Sequence, residues 1–216
     1  DLAIEGIPQS VSIIENDAIT QAAAWDYASV PFTLEVANDF DILLSQEGNK
    51  LGDLDLTADG TNGNVTVTEA GPISDASAWT VGGTASLTAK DGATLQDIVL
   101  DSAGPIGSVA NLRIIEAADV SANLDVDTLQ VDSATNVTLT DPDAVDLNTS
   151  AVTNRFKIDA GGHITQTGGA LSATDLLLIG SGFATLENVA NDVVNLAAAF
   201  TGGDLSYTDT DDFAVS

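Results

Sequence analysis

Apolar and polar residues alternate along this chain in short runs, and each run stops at a cluster of Asp, Asn, Gly, Ser or Thr. Val65-Thr66-Val67-Thr68, Leu124-Asp125-Val126-Asp127 and Val137-Thr138-Leu139-Thr140 are typical. A period of two predicts strands whose alternate side chains face opposite ways. Leu54, Leu56, Leu124 and Val126 therefore face inward, and Asp53, Asp55, Asp125 and Asp127 face solvent. No helical period is sustained. The alanines of residues 18–25 suit one turn at most, because their flanks are not helical.

Residues 98–140 organise the rest. Asn111, Asn123 and Asn136, 12 and 13 residues apart, each stand directly before a new apolar-led run. Asn tolerates the left-handed conformation and bonds nearby backbone, which gives a recurring Asn a physical role at a corner. The same place is taken by Asn64 before Val65, Asp97 before Ile98, Asp175 before Leu176, Asp192 before Val193 and Asp204 before Leu205. A corner register of this kind belongs to a chain winding round one axis. The pattern predicts an all-β fold, a parallel β-solenoid (β-helix) with irregular coils of about 12–20 residues. A β-sandwich is the alternative, since many short strands suit it too. The solenoid reading makes residues 1–216 one elongated domain, with 1–17 as an N-terminal cap or exchanged strand and 18–216 as coils. An uncapped terminal coil exposes unpaired N–H and C=O groups, so end-to-end self-association into a homopolymer is the expected partnership.

Residues 65–98 and 156–189 align without a gap. Gly71 meets Gly162, Ile73 meets Ile164, Leu87 meets Leu178, and Ala93-Thr94-Leu95 meets Ala184-Thr185-Leu186. Ile19 and Trp25 echo Ile73 and Trp79, and Gly71-Pro72-Ile73 recurs as Gly104-Pro105-Ile106. The stretches GGHITQTGGALSATDLLLIG and AGPISDASAWTVGGTASLTA resemble repeats of filamentous-haemagglutinin-like and other large repetitive bacterial surface adhesins. The resemblance covers about residues 65–110 and 156–215. It implies a right-handed β-helix and an extracellular adhesive or scaffolding role on a bacterial cell surface, with a glycan or surface receptor as a further partner.

Composition narrows the function. The formal charge is −28, from 33 acidic residues against five basic ones. Phosphate binding needs clustered Lys and Arg, so nucleic acid is not an expected partner, nor is an anionic membrane surface. No apolar run is long enough to span a bilayer, so membrane insertion is not expected. Without Cys there is no disulfide framework or thiolate metal site. The lack of Met marks a mature or excised segment.

The acidic turns are the one constellation with ligand chemistry. Asp141, Asp143 and Asp146, and separately Asp209, Asp211 and Asp212, offer hard oxygens suited to calcium. Neither set matches the EF-hand loop. His163 is the single histidine and cannot build a zinc site alone. Trp25 and Trp79 read as equivalent packing positions. Arg155 and Lys157, beside Asp159, are the best local candidates for a basic group of a polysaccharide lyase or hydrolase. No nucleophile-elbow or phosphate-loop spacing accompanies them, so the expectation is a non-enzymatic chain.

Overall fold

The computed structural model describes residues 8–101 and 107–215. Gly104-Pro105-Ile106 and residues 1–7 of the expected N-terminal cap lie outside them. The described residues contain no helix, and no helix is long and apolar enough to cross a membrane. The first strands are β1 (Val11–Glu15), β2 (Ile19–Thr20), β3 (Phe32–Val36), β4 (Ile42–Leu44), β5 (Leu54–Ala58) and β6 (Val65–Glu69). Next come β7 (Ile73–Ser74), β8 (Thr80–Asp91), β9 (Thr94–Leu95), β10 (Ile98–Leu100), β11 (Gly107–Asp141) and β12 (Val145–Ala160). The last are β13 (Ile164–Thr165), β14 (Leu171–Gly180), β15 (Ala184–Leu186), β16 (Asp192–Phe200), β17 (Leu205–Tyr207) and β18 (Ala214–Val215).

These strands stack in parallel as a β-solenoid of about 10 turns. One ladder carries Ile19, Ile42, Val65, Ala85 and Leu112 in vertical register. A second carries Val36, Ala58, Val81 and Val109, with Val11, Phe32 and Leu54 stacked beside it. A third stacks Ile73, Ile98 and Val120. In the C-terminal half, Val137, Phe156, Leu176, Leu196 and Val215 form one column, and Val145, Ile164, Ala184 and Leu205 another. The sandwich alternative is excluded, because its sheets are antiparallel. Among the described residues only β8 and β9 pair that way.

Alternation explains the core. Leu54 and Leu56, and Leu124 and Val126, are buried, while Asp53 is exposed and Asp55 and Asp125 are half-buried. Burying one Val or Leu stabilises by about 1.5–3 kcal/mol. Ordering each backbone residue costs about 1–2 kcal/mol. A rung has several times more residues than inward side chains, so it holds only when neighbours cover it. The close stacking of successive turns sets the glycine at position 60, where a Cβ would lie 1.7 Å from the Asn38 carbonyl oxygen of the rung before.

A full rung runs from 18 residues (Thr128 to Asp146) to 28 (Thr80 to Ser108). The Asn spacings of 12 and 13 therefore span part of a rung. Nor do these asparagines adopt the left-handed conformation: Asn38 is the one non-glycine residue with positive φ among those described. Asn111 and Asn136 act through side chains instead. The Asn136 amide donates to Asp119 at 2.7 Å, and its oxygen accepts from the Asn154 side chain at 2.9 Å. They are vertical struts between rungs.

Candidate functional site

Three corners of the solenoid share one device. In each, a Thr and the acid after it stand at or just past the end of a strand: Thr68-Glu69 at the end of β6, Thr140-Asp141 at the end of β11 and Thr208-Asp209 just past β17. The carboxylate reaches back to a main-chain N–H of the preceding rung. Glu69 Oε1 accepts from Leu51 N at 2.5 Å, Asp141 Oδ2 from Val126 N at 2.8 Å, and Asp209 Oδ2 from Val193 N at 3.1 Å. The two aspartates also fold their own turn. Asp141 Oδ1 accepts from Asp143 N at 2.9 Å and Asp209 Oδ1 from Asp211 N at 3.2 Å. The residues before the three N–H donors are Lys50, Asp125 and Asp192. An acid therefore stands at that position in two corners and a lysine in the third.

At the middle corner the carboxylates of Asp125, Asp141 and Asp143 come together, each with an oxygen within 4.8 Å of the others. Asp141 is buried, Asp125 half-buried and Asp143 exposed. Burial is the main cause that pushes the Asp141 carboxyl up to about 6, against the lowering effect of the N–H groups of Asp143 and Val126. Asp125 is also raised, first by burial and then by the charges of Asp143 and Asp127. Three hard oxygens with one open side suit a divalent cation that keeps water on its remaining positions, as calcium does.

The structure thus joins Asp141 and Asp143 to Asp125. Asp146 goes elsewhere: its carboxylate accepts from the Thr165 hydroxyl at 2.8 Å, Thr167 N at 3.0 Å and the Thr167 hydroxyl at 2.5 Å. At the last corner Asp209 also accepts the Tyr207 hydroxyl at 2.5 Å, and Asp211 and Asp212 are exposed. Burial, then the Asp209 carboxylate, pushes the Tyr207 phenol up. Among the described residues, Asp209, Asp211 and Asp212 form no group of the kind seen at Asp141. The sequence carried a signal for the shared corner in VTVTE, VTLTD and LSYTD, but the Lys50, Asp125 and Asp192 positions emerge only from the register.

Other candidate residues pack. Trp79 is buried and its indole N–H donates to the Leu54 carbonyl at 2.9 Å. Trp25 stacks on Phe32, the ladder partner of Leu54, at 5.7 Å. His163 stacks on Phe183 at 3.8 Å, and its Nδ1 accepts from Phe183 N at 3.2 Å. Lys157 pairs with Asp159 at 3.6 Å. Arg155 lines a groove of about 440 Å³ with the polar residues Asp97, Asp119, Asn136 and Asn154 and the apolar Val99 and Val120.

The internal alignment holds through most of its length and then parts. Ile73 and Ile164, and Leu87 and Leu178, are buried ladder residues in both copies. Ala184-Thr185-Leu186 continues a parallel ladder as β15, but Thr94-Leu95 folds back on β8. Asp91-Gly92 causes the difference: Gly92, with φ +57°, permits a tight hairpin turn that the aligned Gly182-Phe183 does not form.

Stacked, imperfect rungs locked by corner acids define a repeat β-solenoid protein. The model of a family described as repeats of unknown function (DUF5649) matches residues 50–112 and 134–200. These stretches make up more than half of the chain, and it belongs to that family. They contain both aligned segments, 65–98 and 156–189, in full. No curated protein and no solved structure matches the chain.

Proposed function

We propose that this chain is a non-catalytic structural or adhesive segment of an extracellular filament or adhesin on a bacterial cell surface. It joins a second copy end to end through β-strand pairing. The observation that carries this reading is the last rung. Among the described residues β17 and β18 are paired on one side only, with β15 and β16. Leu196, Leu205, Tyr207, Phe213 and Val215 surround an apolar hollow of about 320 Å³, and Val215 is 80% exposed. At the other end, among the described residues, β1 pairs only with β3, and Ile14 is 65% exposed. An unpaired parallel edge with apolar side chains is a template for another strand. Two unlike ends that fit each other give an open, head-to-tail fibre. The resemblance to repetitive surface adhesins supports the location and the adhesive role.

Electron microscopy of the purified chain tests this reading. Fibres of uniform width are expected, more abundant at high salt because −28 charges on each copy repel one another. Phe213→Asp places a charge in the hollow and should leave short single rods. Single rods for the unaltered chain at every salt concentration would overturn end-to-end assembly and leave a passive stalk.

A second reading, capture of a glycan, rests on the Arg155 groove. Its carboxylate, amide, hydroxyl and guanidinium groups are the kinds that bond sugar hydroxyls. Binding on a glycan array that is lost in Arg155→Ala supports it, and no binding removes it.

A further inference from the structure

One buried side-chain polar atom among the described residues has no hydrogen-bond partner: Oε2 of Glu69, in a residue only 2% exposed. The other two corner acids show why it stands out. Asp141 and Asp209 use one oxygen on the preceding rung and the other on an N–H two residues along the chain. Glu69 makes the first bond, to Leu51 N, and lacks the second. Its side chain is one methylene longer, and Gly71 stands where the other corners have Asp143 and Asp211.

The charged groups around Glu69 leave it unbalanced. Lys50, Asp53 and Ser74 line the same cavity of about 280 Å³. The Asp53 carboxylate is held by the Ser74 hydroxyl at 2.5 Å, and Lys50 forms no ion pair among the described residues. On the far side of Ala70 a smaller hollow is lined by Glu47, Lys90 and Asp91, and Lys90 is paired with Glu116. An ionised carboxylate with a bare buried oxygen is costly, and a neutral carboxylic acid is much less so.

We propose that the Glu69 carboxyl is a proton-operated latch between the rung that starts at Leu51 and the rung that starts at Ile73, closed by protonation and loosened by its loss. The reading is independent of end-to-end assembly. Burial pushes this carboxyl from 4.5 to about 8 while the corner is closed. An open corner returns it to its ordinary value, so the closed form holds a proton that the open form has lost. Closure is therefore strongest below pH 4.5, weakens by about tenfold per pH unit as pH rises towards 8, and is level above that. Acid tightens this corner.

Amide hydrogen exchange of the full chain, expressed as protection factors so that intrinsic pH dependence cancels, tests the latch. The Leu51 amide should lose about 50-fold in protection from pH 6 to pH 8 and level off within about a further twofold above that. The Ala184 amide, which donates to the Asp204 carbonyl in a distant rung, should stay constant. Glu69→Gln should flatten the Leu51 profile. Leu51 protection that tracks Ala184 across this range would overturn the latch, as would a slope that survives in Glu69→Gln. If that variant does not fold, the two amides of the unaltered chain decide the matter.

Discussion

The side-chain amides of Gln166 and Asn191 hydrogen-bond each other in both directions, at 2.8 and 3.1 Å. Asn191 is fully buried and also donates to the carbonyls of Leu186 and Thr208, while its oxygen accepts from Leu171 N. Gln21 and Asn49 repeat the arrangement at 3.0 and 2.9 Å, with Leu44, Thr68 and Trp25 in the matching roles. Each clamp follows an Ile-Thr-Gln and ties together three successive rungs at a place where the ladder is interrupted. Both sit one residue before a corner acid's rung contact: Thr68 precedes Glu69, and Thr208 precedes Asp209.

Asn191→Ala should therefore destabilise the chain by on the order of 3 kcal/mol, because it strands the Thr208 carbonyl and the Leu171 N–H and removes the partner of the Gln166 amide. Urea unfolding measures it. Asn154→Ala, which removes an exposed amide, should stay within about 0.5 kcal/mol. Equal effects at the two positions would show that burial of the clamp is unimportant.

Trp79 and Trp25 should differ in the same assay, although the sequence presents them as equivalents. Trp79→Phe keeps an aromatic ring in the core but removes the indole N–H from the Leu54 carbonyl, which keeps its bond from Ala76 N, and the lost hydrogen bond and smaller ring should cost about 1–3 kcal/mol. Trp25→Phe retains the stack on Phe32 and should cost less. Midpoints of denaturant unfolding rank the two variants.

Much of the architecture was legible because strand alternation and turn chemistry act locally. Leu124, Val126, Leu54 and Leu56 face the core as period two requires. Asp97 does stand directly before a strand, β10 at Ile98, whereas Asn136 and Asp175 lie inside β11 and β14. Rung length was not legible, since it depends on how far the chain travels before it meets its own ladder. The Ala93-Thr94-Leu95 match misled for a related reason: identical residues became a hairpin in one copy and a ladder strand in the other, as the turn before them decided. The acid group was half legible. Asp141 and Asp143 are sequence neighbours, whereas Asp125 arrives from the previous rung, and Asp146 is drawn away by Thr165 and Thr167.

Asp141 should give stability a distinct pH dependence. Its carboxyl is raised from 3.8 to about 6 in the folded chain, so folding takes up a proton between these values. The favourable contribution is fully present below pH 3.8, fades as pH rises, and is gone above about pH 6. Integrated over the shift it amounts to at most about 3 kcal/mol. Asp141→Asn cannot titrate, so the stability difference between it and the unaltered chain should change by that order between pH 4 and pH 6 and stay constant above. Urea unfolding across the range checks it, and a constant difference throughout would show that Asp141 titrates as an ordinary carboxyl.

Calcium addition should act through the same corner. A cation among Asp125, Asp141 and Asp143 stabilises all three carboxylates in their charged form, so binding should expel the proton that burial holds on Asp141 near pH 6. Isothermal titration calorimetry in buffers of different ionisation enthalpy reads that proton directly, and its release should vanish by about pH 8. Saturation at 100 times Kd would stabilise the fold by about 2.7 kcal/mol. Asp125→Asn is the informative variant: it removes a carboxylate from the group but leaves the N–H bonds of Asp141 to Val126 and Asp143 in place. It should weaken calcium binding at least tenfold with little change in metal-free stability. Asp212→Asn, at the last corner, should change neither. Binding heat that survives in Asp125→Asn would place the ion elsewhere, and its absence in the unaltered chain would leave these carboxylates with their corner-locking role alone.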